Sequence, residues 1–178
     1  LIGVQTEEDA RNMNGCFEAN NLPNRAVHFP IGIDPVEFSE QAEQNVMAEE
    51  VQRLHASLRG RKLILGVDRL DYSKGIPERI HGYETFLNRY PEHKGETVLL
   101  QITPVSRAGV ASYRALRREL DEMAGHINAM HGNFDWSPIR YLTQSVPREV
   151  LAGFHRIADV ALVTPLRDGM NLVAKEFV

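Results

Sequence analysis

This sequence has a single cysteine, Cys16, among 178 residues, which excludes an intrachain disulfide framework and any multi-cysteine metal site. One cysteine fits a reducing compartment, so a cytoplasmic location is expected. No apolar run approaches the length of a membrane span, and no stretch has the form of a signal peptide. Neither sign of charge dominates. The formal net charge is -4, so no bulk attraction to nucleic acid or to a membrane surface is expected. Any anion site must come from local clusters.

Several chemical signatures are also missing. There is no G-x-x-x-x-G-K-[ST] loop and no G-x-G-x-x-G after a strand. Ser73 and Ser106 have no G-x-S-x-G elbow around them. His81, His126 and His131 have no i, i+4 partner, which argues against a metal role and for polar surface. No nucleophile–base pair stands out. Chemistry here should depend on placing charge more than on a covalent intermediate.

What the chain does have is a hydrophobic share of 43% and a charged share of 25%, the composition of a globular protein with a core. Short apolar runs alternate with amphipathic segments. Strands are expected near residues 1–5 and 26–29, with a helix between them that Thr6 caps and that ends near Asn14 and Gly15. Residues 30–35 hold two prolines and a glycine and read as a linker, placing a domain boundary near Asp34. A helix is expected over 39–57, closed by Arg59-Gly60-Arg61. From residue 62 the pattern predicts strands at 62–67, 97–102, 139–142 and 160–163, the last of them buried. Helices follow each, along Ile76, Ile80, Tyr83 and Leu87, along Tyr113 to Ile127, and over 147–157. That alternation predicts an α/β fold with a parallel sheet covered by helices on both faces. Trp136 reads as a loop anchor. The chain opens on Leu1 and closes on Val178 within a starting helix, and is expected to be an internal piece of a larger protein.

In parallel α/β sheets ligands bind at the carboxyl ends of the strands. The residues following the four expected strands are Arg69 and Lys74, then Arg107, then Gln144 and Val146, then Arg167, Asp168 and a helix start. Arg69, Lys74 and Arg107, together with a helix N-terminus, at one sheet edge suit a phosphate-bearing ligand. The final stretch, 166–176, has two local readings: an ordinary strand–helix connection with a capping Asp, or an anion site that Gly169 lets a ligand approach.

Three long motifs then narrow the field. GVDRLDYSKG at 66–75, QITPVSR at 101–107 and LVTPLRDGMNLVAKEFV at 162–178 closely resemble the trehalose-6-phosphate synthase family. PIGIDP at 30–35 resembles that family's interdomain crossing. The resemblance covers nearly the whole chain. It implies a retaining glycosyltransferase of GT-B architecture, with two Rossmann-like domains facing a cleft. Residues 1–34 would end the acceptor-side domain, and 35–178 would form most of the nucleotide-sugar domain.

The implied reaction moves glucose from UDP-glucose to glucose 6-phosphate, giving trehalose 6-phosphate and UDP. By resemblance, Arg69 and Lys74 hold the donor diphosphate and Asp168 accepts bonds from the sugar hydroxyls. The backbone of Gly169, Met170, Asn171 and Leu172 closes on sugar and phosphate, and Glu176 binds the ribose. The backbone of Val146 reads the base, and Arg107 sits near the acceptor phosphate. The family mechanism is front-face substitution, in which the departing phosphate deprotonates the attacking hydroxyl. No metal or other cofactor is implied, nucleic acid and membrane are not expected partners, and a homo-oligomer is expected for the full-length protein. The family's glycine loop, acceptor-binding aromatics and a histidine near the donor sugar have no counterpart in this sequence. The stretch 12–29 is shorter than usual, and the piece alone is expected to be inactive. Two relatives of the same fold remain as alternatives: a pseudo-glycosyltransferase with a cyclitol acceptor, and a non-catalytic sugar-phosphate-binding homologue.

Overall fold

The structure is a computed structural model and describes residues 1–104 and 111–177. Two parallel sheets are present. The smaller pairs β1 (Ile2–Val4) with β2 (Ala26–His28), joined through α1 (Glu7–Ala19). Thr6 caps α1 by accepting a bond from the Asp9 backbone N–H. The helix runs past its expected end at Asn14 and Gly15. The Asn14 amide does not turn the chain but grips β2, donating to Ala26 O at 2.9 Å and accepting from Ala26 N at 2.7 Å.

The larger sheet has the order β5-β4-β3-β6, all parallel: β3 (Lys62–Val67), β4 (Thr97–Ile102), β5 (Ile139–Leu142) and β6 (Val160–Ala161). Central parallel strands are covered on both faces and therefore read as continuous apolar runs. All six residues of β4 are buried, as that requires. On one face Ile64, paired with Leu99, lies beside α4 (Ile76–Arg89), which packs on α5 (Ala111–His131). On the other, Leu65 and Leu100 meet α3 (Glu49–Leu58) and α6 (Arg148–Ile157). Trp136 anchors its loop, fully buried with its indole N–H on Thr97 O at 2.8 Å.

Two expectations change. The helix expected over 39–57 is two helices, α2 (Pro35–Asn45) and α3, with a break at residues 46–48. Gly153 of α6 backs onto this break, where a Cβ would lie 2.9 Å from Asn45 O and 2.6 Å from a Val51 methyl. Asp34 caps α2 by accepting from the N–H groups of Val36 and Glu37. The strand expected to be buried over 160–163 pairs only at Val160 and Ala161, and Val160 is 45% exposed. Among the described residues it has one strand neighbour, β3, and beside it lies an open apolar groove lined by Ile64, Tyr83, Phe86, Val160 and Leu162. Asp159 holds the strand down, accepting from Leu63 N and Lys62 Nζ at 2.8 Å each.

Gly66 is the tightest point of the sheet. A Cβ there would sit 2.3 Å from Gln101 Oε1 and 2.7 Å from Arg79 Nη1. Gly66→Ala is expected to lower the unfolding free energy by about 1–3 kcal/mol, the cost of overpacking a filled core. Chemical denaturation would measure it, and an unchanged midpoint would contradict this packing.

Candidate functional site at the strand ends

The loops that follow β3 and β6 are stitched together. After β3, Asp71 accepts from the backbone N–H and hydroxyl of Ser73, which shapes a short 3-10 turn at Tyr72–Lys74. Burial pushes the Asp71 carboxyl up, but the Ser73 bonds, Tyr113 and the nearby Arg69 charge outweigh it and hold it below its ordinary value. Ser73 O then accepts from Leu166 N at 2.8 Å and Arg167 N at 3.2 Å. Gly75 has φ +61°, and a Cβ there would fall on the Thr164 carbonyl oxygen. Only glycine allows the two loops to approach this closely.

This stitching sets Lys74 against Asp168, Nζ to Oδ2 at 2.5 Å, with 14% and 17% of their side chains exposed. Asn171 Nδ2 donates to the same Asp168 oxygen at 3.4 Å, and its Oδ1 accepts from Ala174 N, capping α7 (Leu172–Phe177). The first local reading of this stretch holds in part. There is a capped helix start, but the cap is Asn171, and Asp168 is left for Lys74. Gly169 has open space where a Cβ would be, so packing does not require a glycine there. Arg69 is exposed on the same loop as Lys74, and Met170 and Leu172 are half-buried.

Behind this rim lies a buried network. The Arg79 guanidinium, fully covered, donates to Asp68 Oδ2 at 2.6 Å, to Gln101 Oε1 at 2.9 Å and to Thr164 Oγ1 at 3.0 Å. It therefore ties α4 to the ends of β3 and β4 and to the loop after β6. Burial pushes the Asp68 carboxyl up, and the Arg79 charge pulls it back. Sequence reading missed this network. The available signal was Gln101, an amide at the fifth position of the strand, between Leu100 and Ile102.

Val146 and Glu176 line cavities whose walls do not include Lys74 or Asp168. Val146, half-buried, lines an open cavity with Gln144, Pro147, Val150 and Leu54. Glu176 faces a different cavity of about 280 Å³, between α2, α6 and α7, with its Oε2 3.8 Å from His155 Nε2. Arg107 lies outside the described residues. Among the histidines, His81 and His126 are exposed as expected, but His131 is not polar surface: its side chain is 8% exposed and its Nε2 stands 3.9 Å from Glu84 Oε1. Among the described residues no three His, Cys, Asp or Glu converge as metal ligands, and no helix is long and apolar enough to cross a membrane.

Comparison with known proteins decides what this arrangement belongs to. The sequence model of glycosyltransferase family 20 matches residues 2–178. The chain belongs to glycosyltransferase family 20. A trehalose-6-phosphate synthase of Sinorhizobium fredii is 41% identical over all of this chain and 41% of its own length. A solved alpha,alpha-trehalose-phosphate synthase (UDP-forming) from Burkholderia xenovorans, in complex with glucose-6-phosphate, superposes with a TM-score of 0.92 at 38% identity, covering 98% of this chain and 42% of that one. An Escherichia coli structure described as bound with UDP-2-fluoro glucose superposes at 0.88 and 40% identity, again over 98% and 42%. This chain thus spans about two fifths of the family members it matches, and its α/β fold is that of the GT-B family structures, as expected from the sequence.

Two outcomes test the site's construction. Arg79→Met leaves Asp68 buried without its partner and is expected to cost about 3–5 kcal/mol in an unfolding titration; a loss below about 1 kcal/mol would show the network to be dispensable. The second concerns His155, whose burial lowers its pKa from the ordinary 6.5 to about 4. The folded chain resists a proton that the unfolded chain accepts, so stability is full above about pH 6.5 and falls toward pH 4. The slope should approach about 1.4 kcal/mol per pH unit, and His155→Phe should flatten it.

Proposed function

We propose that this chain carries the nucleotide-sugar half of a UDP-forming trehalose-6-phosphate synthase. The observation that carries this reading is the Lys74–Asp168 pair, a cation and a carboxylate set together at the ends of β3 and β6. Each has a better partner in a glycosyl diphosphate. The diphosphate takes Lys74 and the exposed Arg69, and Asp168 turns to the sugar hydroxyls. Val146 reads the base through its backbone, Glu176 takes the ribose, and the 169–172 backbone closes over sugar and phosphate. Arg107, outside the described residues, is assigned to the acceptor phosphate. Support comes from the relatives' own names, UDP-forming synthases, and from their complexes with glucose-6-phosphate and a UDP-glucose analogue.

In this reading the C1–O bond to the leaving diphosphate breaks first, and Arg69 and Lys74 stabilise the developing charge. The acceptor hydroxyl attacks the same face of C1. Its proton passes to the departing phosphate oxygen, so configuration is retained and UDP leaves protonated. Charge stabilisation of the leaving group comes from side chains, and a metal ion is not needed. Residues 1–34 belong to the acceptor-side domain and 35–178 to the donor domain of a cytoplasmic homo-oligomer.

The test uses the purified protein containing this chain, with UDP-glucose and glucose 6-phosphate. UDP release should require both substrates, survive EDTA, and give an α,α-linked product by NMR. Arg69→Ala and Lys74→Ala should each lower kcat by about a hundredfold or more, the usual loss when one stabilising donor is removed. UDP release with a cyclitol acceptor instead would indicate the related pseudo-glycosyltransferase. No UDP release with any acceptor or nucleotide would overturn the enzymatic reading.

A further inference from the structure

His155 is a buried group that the site described so far does not use. Its side chain is 3% exposed, and neither Nδ1 nor Nε2 has a hydrogen-bond partner. An imidazole buried without partners costs about 1–3 kcal/mol, so a sequence that keeps one has a reason beyond packing. The ring is held from two sides. Phe38 of α2 meets it edge-on at 6.0 Å, and Phe177 of α7 lies at 6.1 Å. Its Nε2 points to Glu176 Oε2 across 3.8 Å, and both line the same cavity. A shift of less than about 1 Å would turn that approach into a hydrogen bond.

We infer that His155 is a positioning residue for Glu176, donating its Nε2–H to one carboxylate oxygen so that the other is presented to the ribose diol of the donor nucleotide. This rests on the reading that Glu176 takes the ribose. A neutral imidazole suits the task. It offers one fixed donor and fixes the carboxylate's rotation without neutralising it, whereas a cation would compete with the hydroxyls. Other charges face Glu176 from its surroundings. Arg148 of α6 lowers its pKa against the burial that raises it, Arg156 lines the cavity, and Lys175 is drawn off to Ile31 O at 3.2 Å. None of these supplies a neutral, directional donor.

The experiment is steady-state kinetics on the protein containing this chain, varying UDP-glucose and glucose 6-phosphate separately. His155→Phe should raise KM for UDP-glucose about three- to tenfold, the weight of one hydrogen bond, with kcat moved less than about twofold and KM for glucose 6-phosphate unchanged. His155→Gln, which keeps an N–H donor, should recover most of the donor affinity. In a Glu176→Ala background the His155 substitution should add nothing to the donor KM. If His155→Phe lowers Tm but leaves the donor KM alone, or if its effect persists in the Glu176→Ala background, the positioning role is wrong. If Glu176→Ala itself leaves the donor KM unchanged, the ribose reading fails first and takes this inference with it.

Discussion

The buried Arg79 guanidinium is the constraint on which the strand-end region depends. A charge with no exposure to water must be fully paired, because the cost of stranding it is several kcal/mol. Arg79 meets that demand with three partners from three different parts of the chain: Asp68 after β3, Gln101 in β4 and Thr164 after β6. None of the three can move far without exposing an unpaired buried group. The network works as a lock on relative position, whatever its net contribution to stability. Gly66 belongs to the same lock, since any side chain there would occupy the space of the Arg79 and Gln101 head groups.

Everything on the rim inherits its geometry from that lock. Thr164 is fixed by Arg79, and Gly75 packs against the Thr164 carbonyl. Ser73 O then receives two backbone N–H groups from the β6 loop. Lys74 and Asp168, 94 residues apart in sequence, meet as a result. The rim is thus held in place by backbone contacts.

The periphery follows a looser rule. β6 is an edge strand of two residues, and the apolar groove beside it is bounded by α4. On the other side of the sheet, α2, α6 and α7 enclose His155 and Glu176 together. There the packing is aromatic, with Phe38 and Phe177 against the imidazole, so the ring is oriented by shape and its nitrogens remain available.

Much of this was legible in the chain itself. Period and composition marked β3, β4 and β5 at their observed bounds, and for β3 and β4 the reason is that central strands of a parallel sheet are apolar on both faces. The motifs at 66–75 and 162–178 point to the family, and both Lys74 and Asp168 lie within them. Local pattern could not show that the 39–57 helix breaks where Gly153 backs onto it, or that Val160 stands at an open edge, because both depend on what the segment packs against. Nor could it show that Arg79 is buried. A guanidinium in an amphipathic helix reads as surface until the fold brings a carboxylate, an amide and a hydroxyl to it. The sequence by itself determined which elements form, the family, and the chemical types at the strand ends. Tertiary structure alone decided which of those groups touch, because pairing across 94 residues is set by how the sheet is assembled and not by any spacing along the chain.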